Sequence, residues 1–122
     1  MNIADYVTRA NLAALEALLW SETDDNGEPF NARFSPYDIT ISPSLLDLFY
    51  QTRDFVVANQ ADLAEISPEL AGHDFVLTRN RHGAGFWDRG YGDKGDRLTK
   101  AAHVYGDASL YEGDNGKLYL TA

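Results

Sequence analysis

Cysteine is absent from this chain of 122 residues, so it has no disulfide, no thiolate nucleophile and no cysteine-ligated zinc or iron–sulfur site. That composition suits a reducing compartment. The opening MNIADYVTRA lacks the basic stretch of a signal peptide, and Glu16 interrupts the first apolar run, so neither a secretion leader nor a membrane span is expected. There is no Gly-x-Ser-x-Gly elbow and no phosphate-binding P-loop, and Gly83-Ala84-Gly85 lacks the remaining glycine of a dinucleotide fingerprint. Positive charge is scarce in the first part. Residues 1–72 hold three arginines against twelve carboxylates, whereas residues 73–122 hold seven charges of each sign. The formal net charge of −9 therefore belongs wholly to the first part. Such a field repels nucleic acid and membranes and attracts basic surfaces. Direct nucleic-acid binding is not expected, and a basic partner surface is.

A hydrophobic fraction of 44%, with six Phe, seven Tyr and two Trp, is enough for a packed core, and the length suits one domain spanning 1–122. No internal repeat, low-complexity tract or linker divides it. Residues 4–20 read as a helix, with Val7, Ala10, Ala14 and Leu18 on one stripe and Leu12, Leu15 and Leu19 on a second beside it. Trp20 closes it. Ser42-Pro43 is an N-cap followed by proline at the first helical position. From there Leu45, Leu48, Phe49, Phe55, Val56, Leu63 and Ile66 gather on one arc, with Asn59 in its middle as a satisfied polar contact. Ser67-Pro68 repeats the cap signal for a single turn that Gly72 stops. Arg97 to Tyr105 reads as a short helix ended by Gly106. Ser109-Leu110-Tyr111 and Lys117-Leu118-Tyr119-Leu120 flank Gly113-Asp114-Asn115-Gly116, a strong hairpin signal.

The stretch His73 to Gly92, HDFVLTRNRHGAGFWDRGYG, is the most distinctive. Phe75, Val76 and Leu77 favour a strand, Gly83-Ala84-Gly85 permits a reversal, and Phe86-Trp87 begins the return, so strand, turn, strand is the reading. The fold class expected is α+β: a small antiparallel sheet of two hairpins, with two longer N-terminal helices and one short helix packed on it. At least one of Phe86 and Trp87 should be a buried anchor.

Within the same stretch His73, His82 and Asp88 are the residues a catalytic site would use, because general acid–base chemistry needs such groups close together. Alternation along a strand over residues 73–80 puts His73 and Arg79 on one face and Asp74 on the other, so the groups need not converge. The plainer reading is a structural hairpin whose Arg and Asp pair locally; next to it stands a binding surface presenting Arg79, Arg81, His82, Trp87 and Arg89, since exposed Arg with Trp is good interface chemistry. An acidic face is the other candidate. Asp47, Asp54, Asp62 and Glu65 fall opposite the apolar arc of the second helix, along ~27 Å at 1.5 Å per residue. Four charges over that length are far sparser than duplex DNA, so Glu22, Asp24, Asp25, Glu28 and Asp38 would have to extend the stripe. A calcium loop fails at this place: with Gly27 as the sixth position, Glu22, Asp24 and Asn26 fit the first ligands, but Arg33 takes the twelfth. No metal and no cofactor is expected.

The strings AGHDFVLTRNRHGAGFWDRG, GDRLTKAAHVYG and LYEGDNGKLY, together with Leu19-Trp20-Ser21 and Asp24-Asp25, resemble a family of small, mostly uncharacterised proteins encoded by bacteriophages and related mobile elements. The resemblance covers roughly the last 50 residues and carries no assigned catalytic residue. It implies an accessory protein made in the cytoplasm of a bacterial host. By analogy with small acidic phage proteins, the expected function is inhibition of a basic, nucleic-acid-handling host protein, of the anti-restriction or anti-CRISPR type, with DNA mimicry as one route. The alternative is a small phage enzyme or ligand-binding protein with its site on the His73–Arg89 hairpin. The sequence fixes no oligomeric state.

Overall fold

The computed structural model describes residues 2–37 and 42–121. The architecture is α+β, with five helices and one antiparallel hairpin among the described residues. Helix α1, Ile3–Ser21, starts where the Asn2 side chain accepts a hydrogen bond from the Asp5 amide. Its two apolar stripes bury Val7, Ala10, Ala14, Leu15, Leu18 and Leu19 between several neighbours, as a wide apolar face should. Helix α2, Pro43–Ala58, follows the Ser42-Pro43 start. It does not run on to Ile66. Asn59 leaves helical geometry at φ −123° and turns its Nδ2 back to donate to the Phe55 carbonyl at 2.7 Å. A four-residue helix α3, Gln60–Leu63, follows and still delivers Leu63 to the core. The polar residue in the apolar arc thus marks a break.

The largest correction concerns the first of the two expected hairpins. Pro68–Arg79 is one helix, α4, with the Ser67 hydroxyl accepting from the Leu70 amide at its start. Gly72 does not stop it. Gly72 lies against α1 so closely that a Cβ there would overlap the carbonyl oxygen of Ala10. Beyond it Asp74, Phe75, Val76, Leu77, Thr78 and Arg79 are consecutive and all buried. A helix enclosed on every side shows no 3.6-residue alternation, and a short apolar run then reads equally well as a buried strand.

After α4 the chain doubles back. Gly85 is small enough to press against Thr78, whose hydroxyl accepts from the Phe86 amide at 3.1 Å. A short 3-10 turn, Phe86–Asp88, then inserts the Phe86 ring into the core while Trp87 stays 53% exposed. Phe55 stacks on Phe75 with ring centres 4.5 Å apart and on Phe86 at 5.7 Å, with Tyr105 edge-on to Phe55 and Phe75. Helix α5, Asp93–His103, begins four residues earlier than Arg97 and buries Leu98 and Ala102.

The C-terminal hairpin is as expected. Strand β1, Ser109–Glu112, pairs with β2, Leu118–Thr121, in the register Tyr111 opposite Tyr119. Both outer edges are covered by side chains. Ser44 Oγ accepts from the Leu120 amide, the Ser42 hydroxyl donates to the Leu118 carbonyl, and Glu22 Oε1 accepts from the Leu110 amide. Those contacts satisfy edge groups that would otherwise invite further pairing. No helix among the described residues is long and apolar enough to cross a membrane.

Candidate functional site

The groups of the His73–Arg89 stretch are mostly committed to holding the fold. The Asp74 carboxylate is fully buried and receives two hydrogen bonds from Arg89, Nε to Oδ2 at 3.0 Å and Nη2 to Oδ1 at 2.8 Å. Burial works to raise its pKa, but His73 and Arg89 together outweigh that and hold it below the usual carboxylate value. Paired this way, Arg89 fastens the loop after α4 back onto the helix. Arg79 is buried too. Its guanidinium donates to the Gly106 carbonyl at 2.7 Å, the Tyr105 carbonyl at 3.1 Å and Gln51 Oε1 at 2.6 Å, and lies over the Phe75 and Tyr105 rings. Burial pushes its pKa down to about 10, still well above neutrality. It caps the carbonyls that follow α5 and ties them to α2.

The remaining members of that surface are dispersed. Arg81 is exposed and takes a left-handed conformation, φ 57°, at the residue just past the α4 cap. There its amide donates to the Thr78 carbonyl and the next amide, of His82, to the Leu77 carbonyl, the paired closure of a helix end usually built with glycine. Asp88 Oδ1 accepts from the Gly85 amide and so shapes the turn. His73, on α4, is half-buried with Nδ1 3.6 Å from Asp74 Oδ1. His73, His82 and Asp88 therefore hold separate posts. Among the described residues no three of His, Asp and Glu gather as a metal cluster.

The acidic face also changes. The helix breaks at Asn59, so Asp47 and Asp54 lie on α2, Asp62 on α3 and Glu65 beyond α3. Asp62 is taken by Arg97 through bonds of 2.9 and 2.8 Å, which hold its pKa down and join α3 to α5. Asp24 accepts from the Asn26 and Glu28 amides and meets Arg33 at 3.3 Å, and Arg33 in turn binds Glu112 at 2.6 Å. The arginine that spoils the calcium pattern is the internal cation of this loop. Glu22 holds the edge of β1. Asp25, Asp47 and Glu65 face outward, and exposed Asp54 pairs with its neighbour Arg53 at 3.3 Å. Asp38 lies outside the described residues.

What the elements do bring together is an open groove of ≈ 590 Å³ beside the C-terminal half of α1. One wall is Glu16, Ala17 and Trp20 of α1; the other is Asn31 of the 3-10 turn Phe30–Ala32 with Phe34 and Tyr37 from the loop after it; His73 of α4 completes the lining. Phe30 is buried and anchors that loop, and Phe34 packs near its ring, centres 6.4 Å apart, with Arg33 on the Phe34 face. Trp20 is 57% exposed and lies 6.1 Å from the His73 ring, and Tyr37 is 74% exposed. No lysine or arginine is among the lining residues. Chemically this is an aromatic groove carrying a carboxylate, an amide and an imidazole. Glu16 and Trp20 are one turn apart and off both apolar stripes of α1. That spacing is the signal by which sequence reasoning could have found them. Tyr37 had no such signal, because its place depends on where Phe30 anchors the loop.

Comparison of the chain with protein-family models, with curated proteins and with solved structures finds no match.

Proposed function

We propose that this protein is an acidic binding protein, of the phage accessory kind, that inhibits a nucleic-acid-handling host protein by docking on its basic surface. Its groove grips one lysine or arginine side chain of that surface. The observation that carries this reading is the exposed pair Trp20 and Tyr37 beside Glu16, in a groove lined by no lysine or arginine. A cation over an aromatic face gains about 0.5–2 kcal/mol, more as water is excluded, and a carboxylate beside it adds charge pairing. The net charge of −9 steers a basic partner toward the whole molecule. Outward Asp25, Asp47 and Glu65 contribute to that steering. With Glu22, Asp24 and Asp62 engaged internally, the reading places recognition in the groove, and imitation of the DNA charge row, one charge per about 1.7 Å, has less to work with.

The test is a pull-down from host lysate at low and high salt, with the parent compared to Glu16→Lys and Trp20→Ala. A basic protein retained by the parent at low salt, released by salt and lost in both variants supports the reading. Retention that ignores salt and both substitutions overturns it.

A further inference from the structure

The groove beside Trp20 does not end at Glu16 and His73. Both residues also line a second open depression of ≈ 460 Å³, whose other lining residues are Ala13 of α1 and Ser67, Glu69 and Leu70 at the start of α4. The two depressions therefore follow one another along the seam between α1 and α4. Ala13, Glu16 and Trp20 recur at offsets of three and four residues, which places them in one line along α1. Arg9, one turn before Ala13 on the same line, meets Glu69 through bonds of 2.8 and 2.6 Å. Small residues let the two helices approach here: Ala13 and Ala17 are buried, and Gly72 lies against the Ala10 backbone.

The two depressions differ in what they can hold. The first is aromatic, with Glu16 as its carboxylate. In the second the polar groups are already engaged: Glu69 accepts from Arg9, and Ser67 Oγ accepts from the Leu70 amide. What it offers an occupant is the apolar surface of Ala13 and of the partly buried Leu70. No lysine or arginine lines either depression. A cation therefore fits at Glu16 and Trp20, and an uncharged apolar side chain fits beside Leu70. From Ala13 to Trp20 the helix rises ~10 Å at 1.5 Å per residue. An extended chain covers that length in about three residues at ~3.3 Å each. One side chain does not reach both places, whereas a short linear segment does.

We propose that the seam of α1 and α4 takes a linear segment of the basic partner protein, with a lysine or arginine at Glu16 and Trp20 and an apolar side chain three positions away against Ala13 and Leu70. This inference rests on the cation-gripping reading of the groove and adds a second position to it. The test is an NMR titration of the full chain with four acetylated tetrapeptide amides: Lys-Gly-Gly-Leu, its reverse Leu-Gly-Gly-Lys, Lys-Gly-Gly-Gly and Lys-Leu-Gly-Gly. All four should shift the Trp20 indole signal. One of the two spaced Lys and Leu peptides should bind about fivefold tighter than Lys-Gly-Gly-Gly, the scale of a partly covered leucine, and should also shift the Ala13 and Leu70 methyls. Lys-Leu-Gly-Gly, with its leucine too near the lysine, should show neither effect. Leu70→Gln, checked by a thermal melt for an intact fold, should remove the gain and leave Lys-Gly-Gly-Gly binding unchanged; if that variant does not fold, the parent titration decides. Equal affinity of all four peptides with Trp20 shifted, or a gain that survives Leu70→Gln, overturns the second position and leaves the cation reading standing. A groove indifferent to every peptide overturns both.

Discussion

Helix α4 and the Trp20 groove differ in what their chemical groups are free to do. Along α4 and its following loop, Asp74, Arg79 and Arg89 are rich in chemistry and almost fully occupied: a buried carboxylate with an arginine, a buried guanidinium with three neutral oxygens. The groove has fewer groups, but Trp20 and Tyr37 present more than half of their surface to solvent. Density of functional residues in a sequence therefore does not measure availability. Burial turns the same residue types into fasteners, because an unpaired buried charge costs far more than an exposed one.

The sharpest way to break the comparison is at the adjacent pair Phe86 and Trp87. Phe86→Ala removes a ring with no exposure and should cost about 3–5 kcal/mol. Trp87→Ala, at a half-exposed ring, should fall well under that, at about 1 kcal/mol or less. Chemical denaturation of both variants checks this, and equal losses would mean that the 3-10 turn is not what seats the core.

Next in size is Asp74→Asn. Removing one partner of a buried pair costs about 3–5 kcal/mol, and the low end is expected because Arg89 can turn its guanidinium to water. The pH dependence has a definite sign. The folded-state pKa of Asp74 lies below its unfolded value, so its stabilisation is present above the unfolded value, near pH 4, and is lost as pH falls through the depressed folded value. Thermal melts between pH 7 and pH 2 should show a steeper acid loss in the parent than in Asp74→Asn. Identical slopes would place the ion pair outside the stability account.

The smallest effect expected is a gain. Arg81 holds a left-handed conformation at a helix end that usually takes glycine, and such a backbone costs an L-residue roughly 1–2 kcal/mol. Arg81→Gly should raise the melting point by a few degrees, equivalent to up to ~1 kcal/mol after the entropy of glycine in the unfolded chain is counted. A loss would mean that the Arg81 side chain makes a contribution beyond its backbone.

What was legible in the sequence follows the same divide. Capped or amphipathic elements read correctly: α1 from its two stripes, the start of α2 from Ser42-Pro43, the terminal hairpin from Gly113-Asp114-Asn115-Gly116. Helix α4 did not, because burial on all sides erases periodicity and its Phe-Val-Leu-Thr run favours strands locally; tertiary enclosure decided it. Gly72 was read as a stop where it serves as a close contact, a distinction only the neighbouring Ala10 makes. Of the candidate residues, His73 alone lies on the groove, where it serves as a wall and not as part of a catalytic group. Asp62 and Asp24 looked like free charge because their partners, Arg97 and Arg33, are 35 and nine residues away. Long-range pairing of that kind leaves no local pattern.

The central claim, that α4 chemistry holds the fold while the groove meets the partner, is tested most directly by comparing Asp74→Asn with Trp20→Ala for both melting temperature and partner retention. The account predicts a lowered melting temperature with binding kept, at a temperature where the variant is folded, for Asp74→Asn. For Trp20→Ala it predicts an unchanged melting temperature with binding lost. The reverse pattern, with Asp74→Asn stable but unable to bind and Trp20→Ala binding as the parent does, would contradict it.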